Sequence, residues 1–134
     1  MAQQITWTSN INIGGSKIFL SGEQNIEGVD SVMVDLAGTD TGSADTDREV
    51  EIQPGGAGQV KFLAISASDY GADISYKINN SGATAITLEE PLILIGENAV
   101  NMFDAAPSSL FFTNNFTSNV TISVVVGRDA TPTP

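Results

Sequence analysis

The groups with the most chemical potential in this chain are its carboxylates. Glu89 and Glu90 are adjacent, and glycoside hydrolysis needs two carboxyl groups flanking the scissile bond. Neighbours on a strand point to opposite faces, however, and Pro91 follows directly, so a solvated strand end is the simpler reading. A second set, Asp40, Asp45, Asp47, Glu49 and Glu51, lies in a stretch otherwise rich in Gly, Thr and Ser. Ca2+ takes several oxygen ligands from a flexible loop, which makes Asp45 and Asp47, two residues apart, the candidate metal ligands. Their spacing departs from the twelve-residue calcium loop and Arg48 sits among them, so a solvated acidic loop competes with the cation site.

Other motifs fail on context. Gly55, Gly56 and Gly58 precede a strand-like run, whereas a phosphate cradle follows a strand and opens a helix. Asn115-Phe116-Thr117 and Asn119-Val120-Thr121 match the glycosylation pattern, but nothing at the N-terminus reads as an export signal. The sequence contains no histidine and no cysteine. The usual general base, the commonest metal ligand, thiolate nucleophiles and disulfides are therefore all missing from the repertoire. No cofactor is expected, and no catalytic residue is assigned.

Charge narrows the partners. Sixteen acidic residues against five basic ones give a net charge of −11, so phosphate backbones and anionic membranes are repelled. Lys17, Arg48, Lys61, Lys77 and Arg128 are scattered and form no basic patch. Neither nucleic acid nor a membrane is an expected partner. No run approaches the ~20 apolar residues of a membrane span. If Met1 is the native start, the protein is expected to stay in the cytoplasm where it is made or to leave with a larger particle.

The elements that must hold these groups read as strands. Val120, Ile122, Val124 and Val126 alternate with Thr121 and Ser123, the period of a half-buried strand. Leu110 to Thr113 is a shorter apolar run, and Asn114 to Asn119 reads as the turn of a hairpin joining the two. Gln59 to Ser68 and Ile74 to Ile78 repeat that plan and are expected to form a second hairpin. Alternation also marks Ile5 to Trp7, Ile11 to Ile13, Val32 to Leu36 and Glu49 to Ile52, with Gly14-Gly15 as a break. Ala37 to Asp47 predicts a long exposed loop with too little apolar surface to order itself. Leu92 to Ile95 is apolar without alternation, which predicts burial on both faces, the second against another subunit. A helix is possible only near Glu97 to Ala105, before Pro107.

Eight to ten short strands predict an all-β fold, an antiparallel β-sandwich of jelly-roll type. At 134 residues a single domain over 1–128 is expected, with 129–134 as an extended tail. The single tryptophan, Trp7, reads as a core or rim anchor. Phe116, at a turn tip, must fold back or enter a partner to escape water.

Lys61-Phe62-Leu63-Ala64-Ile65-Ser66-Ala67-Ser68-Asp69-Tyr70, Leu88-Glu89-Glu90-Pro91 with Gly96-Glu97-Asn98, and Leu110-Phe111-Phe112-Thr113-Asn114-Asn115 leading into Val124-Val125-Val126-Gly127-Arg128-Asp129 together carry a resemblance. In style and order these segments resemble small tailed-phage virion proteins of the decoration or cement type. The likeness covers about Gln59 to Asp129 and transfers no functional residue. It implies a non-enzymatic structural protein that sits on a capsid as a homo-oligomer, with a trimer favoured, and contacts the major capsid protein or another virion component. Assembly in the host cytoplasm and residence in the virion follow from it. The alternatives are a tail or fibre accessory protein and a carbohydrate-binding module using Trp7, Tyr70 or Tyr76 as platforms, with Ca2+ at the acidic loop.

Overall fold

The structure, a computed structural model, describes residues 3–52, 59–104 and 107–129. The glycine-rich turn expected at 54–58 and the end of the tail, 130–134, lie outside them. Among the described residues ten strands and one α-helix follow in order, with a single 3-10 turn at Thr39–Thr41: β1 (Gln3–Ile13), β2 (Ser16–Ile26), β3 (Gly28–Leu36), β4 (Arg48–Glu51), β5 (Val60–Ala67), β6 (Gly71–Ile78), β7 (Ile86–Leu88), β8 (Leu92–Ile95), α1 (Glu97–Phe103), β9 (Ser109–Asn114) and β10 (Val120–Arg128).

Strands β3 to β10 form two four-stranded sheets. The first is ordered β3-β10-β5-β8 and the second β4-β9-β6-β7, with every pairing antiparallel. Eight strands distributed in this order make the double-sheet jelly roll, so the all-β sandwich expected from the alternation is the fold of the chain. The core lies between the sheets: Leu36, Leu63, Ile65, Ile122, Val124 and Val126 from the first meet Val50, Ile74, Tyr76, Leu110 and Phe112 from the second. Each of these is followed by a residue on the opposite face, which is why the two-residue period was visible. Helix α1 closes one end of the core with Val100 and Phe103, the latter against the ring of Tyr76 at 6.0 Å between centroids.

Two expectations about connectivity are corrected. The pair β9 and β10 is not a hairpin, because β9 belongs to the second sheet and β10 to the first; β5 and β6 are likewise split between sheets. Both links turn a corner of the sandwich, and the strands are neighbours in the other sense: β10 pairs with β5, and β9 with β6. A short polar link is compatible with either geometry, and burial of both apolar faces decides for the corner.

The segment from Ala37 to Asp47 is also better held than expected. Asp45 Oδ2 accepts from Ala37 N at 2.8 Å, Asn119 Oδ1 accepts from Gly38 N at 2.9 Å, and Thr39 N donates to Phe116 O at 2.9 Å. Gly38 leaves no room for a side chain, since a Cβ there would collide with the carbonyl oxygens of Thr117 and Ser118. Hydrogen bonds to the β9–β10 corner order this loop where apolar burial does not. At its centre Asn114, fully buried, donates through Nδ2 to Leu36 O and Ser118 O and accepts from Phe116 N.

Candidate functional site

The strongest asymmetry in the molecule is between the outer faces of its two sheets. Residues directly opposite one another on paired strands share a face. On the first sheet the outward rows read Val29, Gly127, Phe62, Ile95; then Ser31, Val125, Ala64, Ile93; then Met33, Ser123, Ser66; and finally Asp35 with Thr121. Asp35 is the one ionisable group among these rows, and it already accepts a hydrogen bond from Thr121 Oγ1 at 3.2 Å. Met33 is 71% exposed and Ile93 60%. The outward rows of the second sheet read Glu49, Phe111, Lys77; then Glu51, Ser109; then Thr113, Ser75, Thr87. One face is mostly apolar with a single acid at one end, the other polar with several charges.

The β1–β2 hairpin belongs to neither sheet. Its strands pair in register from Gln3↔Ile26 to Ile13↔Ser16. The two-residue loop Gly14-Gly15 has positive φ at both positions, 55° and 91°, the geometry glycine alone adopts cheaply and the one that matches strand twist. That register puts Ile5, Trp7, Ser9, Ile11 and Ile13 on one face with Ile18, Leu20, Gly22, Gln24 and Ile26. The opposite face holds Gln4, Thr6, Thr8, Asn10 and Asn12 with Lys17, Phe19, Ser21, Glu23 and Asn25. The hairpin is an amphipathic ribbon.

Its base packs on the first sheet. Gly127 makes this possible: a Cβ there would come within 2.9 Å of Ile5 Cδ1 and 3.2 Å of Ile26 Cδ1. Trp7 lies against Gly22, where a Cβ would meet the indole Cζ2 at 2.9 Å. Ile5, Trp7, Leu20, Phe62, Ile93 and Ile95 line an open groove of about 490 Å3 between ribbon and sheet. Alternating burial then stops at Ser9 on β1 and Gly22 on β2. The apolar alternation continues past that point, and Ile11, Ile13, Ile18 and Leu20 are 40%, 61%, 41% and 50% exposed.

The residues singled out in the sequence do not converge. Asp45 is turned to Ala37 N and to Arg48, whose Nη1 lies 3.4 Å away, whereas Asp47 Oδ1 accepts from Lys77 Nζ at 2.9 Å. Among the described residues no group of three or more acids could hold a metal ion. Glu89 and Glu90 are both exposed beside β7, with Glu89 accepting from Thr87 Oγ1 at 2.9 Å. Tyr76 is a core residue 4% exposed, and burial raises its phenol above the usual range. Tyr70 spends its hydroxyl on Ala67 N at 3.0 Å. Trp7 is the one proposed sugar platform in an open groove, and aliphatic side chains dominate the surroundings. Phe116 folds back onto the core beside Gly71.

Leu92 and Leu94 point into the core, but Ile93 is open, so the second buried face expected of this strand is not supplied by the chain itself. The continuous ribbon from Gln3 to Ile26 was not foreseen as one unit, although Gly14-Gly15 between two alternating runs was its signal. The chain matches no protein-family model, and neither curated proteins nor solved structures show a match to it.

Proposed function

We propose that this is a non-enzymatic structural protein of a virus particle, a capsid decoration or cement protein that associates with copies of itself, favouring three, and stabilises the shell. The observation that carries the reading is the sidedness of the sandwich. A mostly apolar sheet face with Met33 and Ile93 exposed, continued by an amphipathic ribbon, is surface that a subunit hides in an assembly. The charged second sheet suits the side left in solvent. Resemblance of the segments from Gln59 to Asp129 to tailed-phage decoration proteins supplies the particle, and the jelly roll is a fold that capsid and lectin domains both use.

The carbohydrate-binding alternative rests on Trp7. Its groove offers Thr6, Thr8 and Ser9 as polar groups and otherwise aliphatic or aromatic carbon, whereas a sugar site needs several convergent polar partners. Self-association is the better fit.

Light scattering on the purified protein tests the assembly half. A mass near three times 14.0 kDa is expected, and a single-chain mass at high micromolar concentration overturns it. Immunogold labelling of particles from cells that express the protein tests the other half: label on the shell supports a decoration role, and label confined to tail structures or free protein overturns it.

A further inference from the structure

We infer that the distal half of the β1–β2 ribbon is an arm that docks on the outer face of the first sheet of a second copy of this chain. The inference rests on the reading of the protein as an assembling subunit and names the surfaces that assemble. Three observations select a second copy as the occupant.

The first is that the two surfaces already fit one another within the chain. The apolar face of the ribbon packs at its base on Gly127, Phe62 and Ile95, the first outward row of the sheet. The distal part of the same face, Ile11, Ile13 and Ile18, repeats that chemistry beyond the groove and stays 40%, 61% and 41% exposed. The rest of the sheet, around Met33 and the partly exposed Val125 and Ala64, is the matching surface beyond the groove, with Ile93 at the rim. One continuous pattern of residues is thus half used in cis. Within one molecule the two halves meet only at that groove, which Leu20 and Ile93 both line, whereas Ile11, Ile13, Ile18 and Met33 lie outside it.

Length is the second. The eleven-residue strands of the ribbon span about 35 Å at ~3.3 Å per residue, leaving about 16 Å from Ser9 to the loop at the tip. Four strands spaced ~4.8 Å apart measure about 14 Å between outer axes. The arm can lie across the whole of a neighbouring sheet.

Charge is the third. Lys17 is the one charged residue among the first 22, whereas the chain from Glu23 onward holds sixteen acids and four bases, a balance of −12. Bodies of like charge repel, so copies associate through the ribbon, which carries little charge, and the face that holds Asp35 as its single acid. Arg48, Lys61, Lys77 and Arg128 are each in an ion pair within the body. Lys17, at the tip of the arm, is in none among the described residues and is presented to an acidic neighbour. Because arm and sheet are different surfaces, the contact is head to tail, and closure gives a ring or a reciprocal pair.

The absence of cysteine makes the test clean. Separate variants Ile18→Cys on the arm, Met33→Cys and Ile93→Cys on the first sheet, and Thr87→Cys on the second sheet are purified and mixed in pairs under mild oxidation. All four positions are exposed or partly so, and circular dichroism checks that each variant folds. Docked copies place arm and sheet thiols at an effective concentration near ~1 mM, so Ile18→Cys should cross-link to Met33→Cys or Ile93→Cys at least about tenfold faster than to Thr87→Cys. Equal rates with all three partners, or faster tip-to-tip linking of Ile18→Cys with itself, overturn the inference. Light scattering on the wild type separates the two levels. An oligomer without arm-to-sheet links refutes the docking and leaves the assembly reading standing, and a single-chain mass refutes both.

Discussion

Replacing Asn114 by Ala should be among the most destabilising polar substitutions in the protein. The side chain is fully buried and makes three hydrogen bonds: Nδ2 to Leu36 O and to Ser118 O, both 3.1 Å, and Oδ1 from Phe116 N at 2.9 Å. Truncation strips all three partners at once. Ser118 is exposed and its carbonyl can take water, but Leu36 is buried and Phe116 N is part-buried. Each of those two groups left unpaired costs about 1–3 kcal/mol, for a total near ~3 kcal/mol. A domain of this size has ~5–15 kcal/mol in all, and the loss corresponds to a fall in Tm of about 10 °C. Urea titration followed by far-UV circular dichroism measures it. A second readout is local: Thr39 N and Asp40 N donate to the carbonyls of Phe116 and Thr117, so their amides should lose exchange protection before the core strands do. A loss below about 1 kcal/mol, or unchanged protection at Thr39 and Asp40, would refute the view that Asn114 clamps the corner and the loop together.

Three further outcomes follow from particular contacts. Gly22→Val drives a side chain into the indole of Trp7, and should shift its fluorescence and cost about 1–3 kcal/mol of ribbon docking, read by exchange of the β1 and β2 amides. Gly38→Ala places a methyl against the carbonyls of Thr117 and Ser118 and should destabilise by about 2 kcal/mol with the loss centred on the 37–47 loop. Tyr76 has its pKa raised from 10.0 by desolvation, so the fold favours the protonated phenol: the stability it contributes is complete below pH 10.0 and is lost as pH rises through the folded value. Tyr76→Phe should therefore lose less stability than the wild type between neutral and strongly alkaline pH, measured by denaturant midpoint.

How far the sequence reaches depends on whether a feature is local. The strands of the first sheet were readable because Val120, Ile122, Val124 and Val126 are buried while Thr121 and Ser123 are not, and a two-residue period needs no distant partner to show. The helix at Glu97–Phe103 falls inside the one window, 97–105, that the sequence left open to a helix ahead of Pro107. Sheet membership was not readable. The corners at 68–70 and 115–119 look like hairpin turns, and only the pairing of β10 with β5 and of β9 with β6 tells them apart. The order of the 37–47 loop was hidden because its partners, Asn114, Asn119 and the Phe116 and Thr117 carbonyls, lie far along the chain. Of the candidate site, Ile93 on an unalternating strand hinted at a second covered face, and the structure turns that hint into a surface by placing Met33 and Val125 beside it.

The mostly apolar outer face of the first sheet is the surface on which the proposed assembly depends, and charging it is the direct check. Met33→Asp with Ile93→Asp changes two side chains that are 71% and 60% exposed, so folding should be retained. The matched control, Thr87→Asp with Phe111→Asp, adds the same two charges to the outer face of the second sheet. Light scattering should then find the wild type and the control at the same multiple of 14.0 kDa and the first-sheet variant at a single chain. A first-sheet variant that keeps the wild-type mass, or a wild type that is itself a single chain, would contradict the assignment of this face.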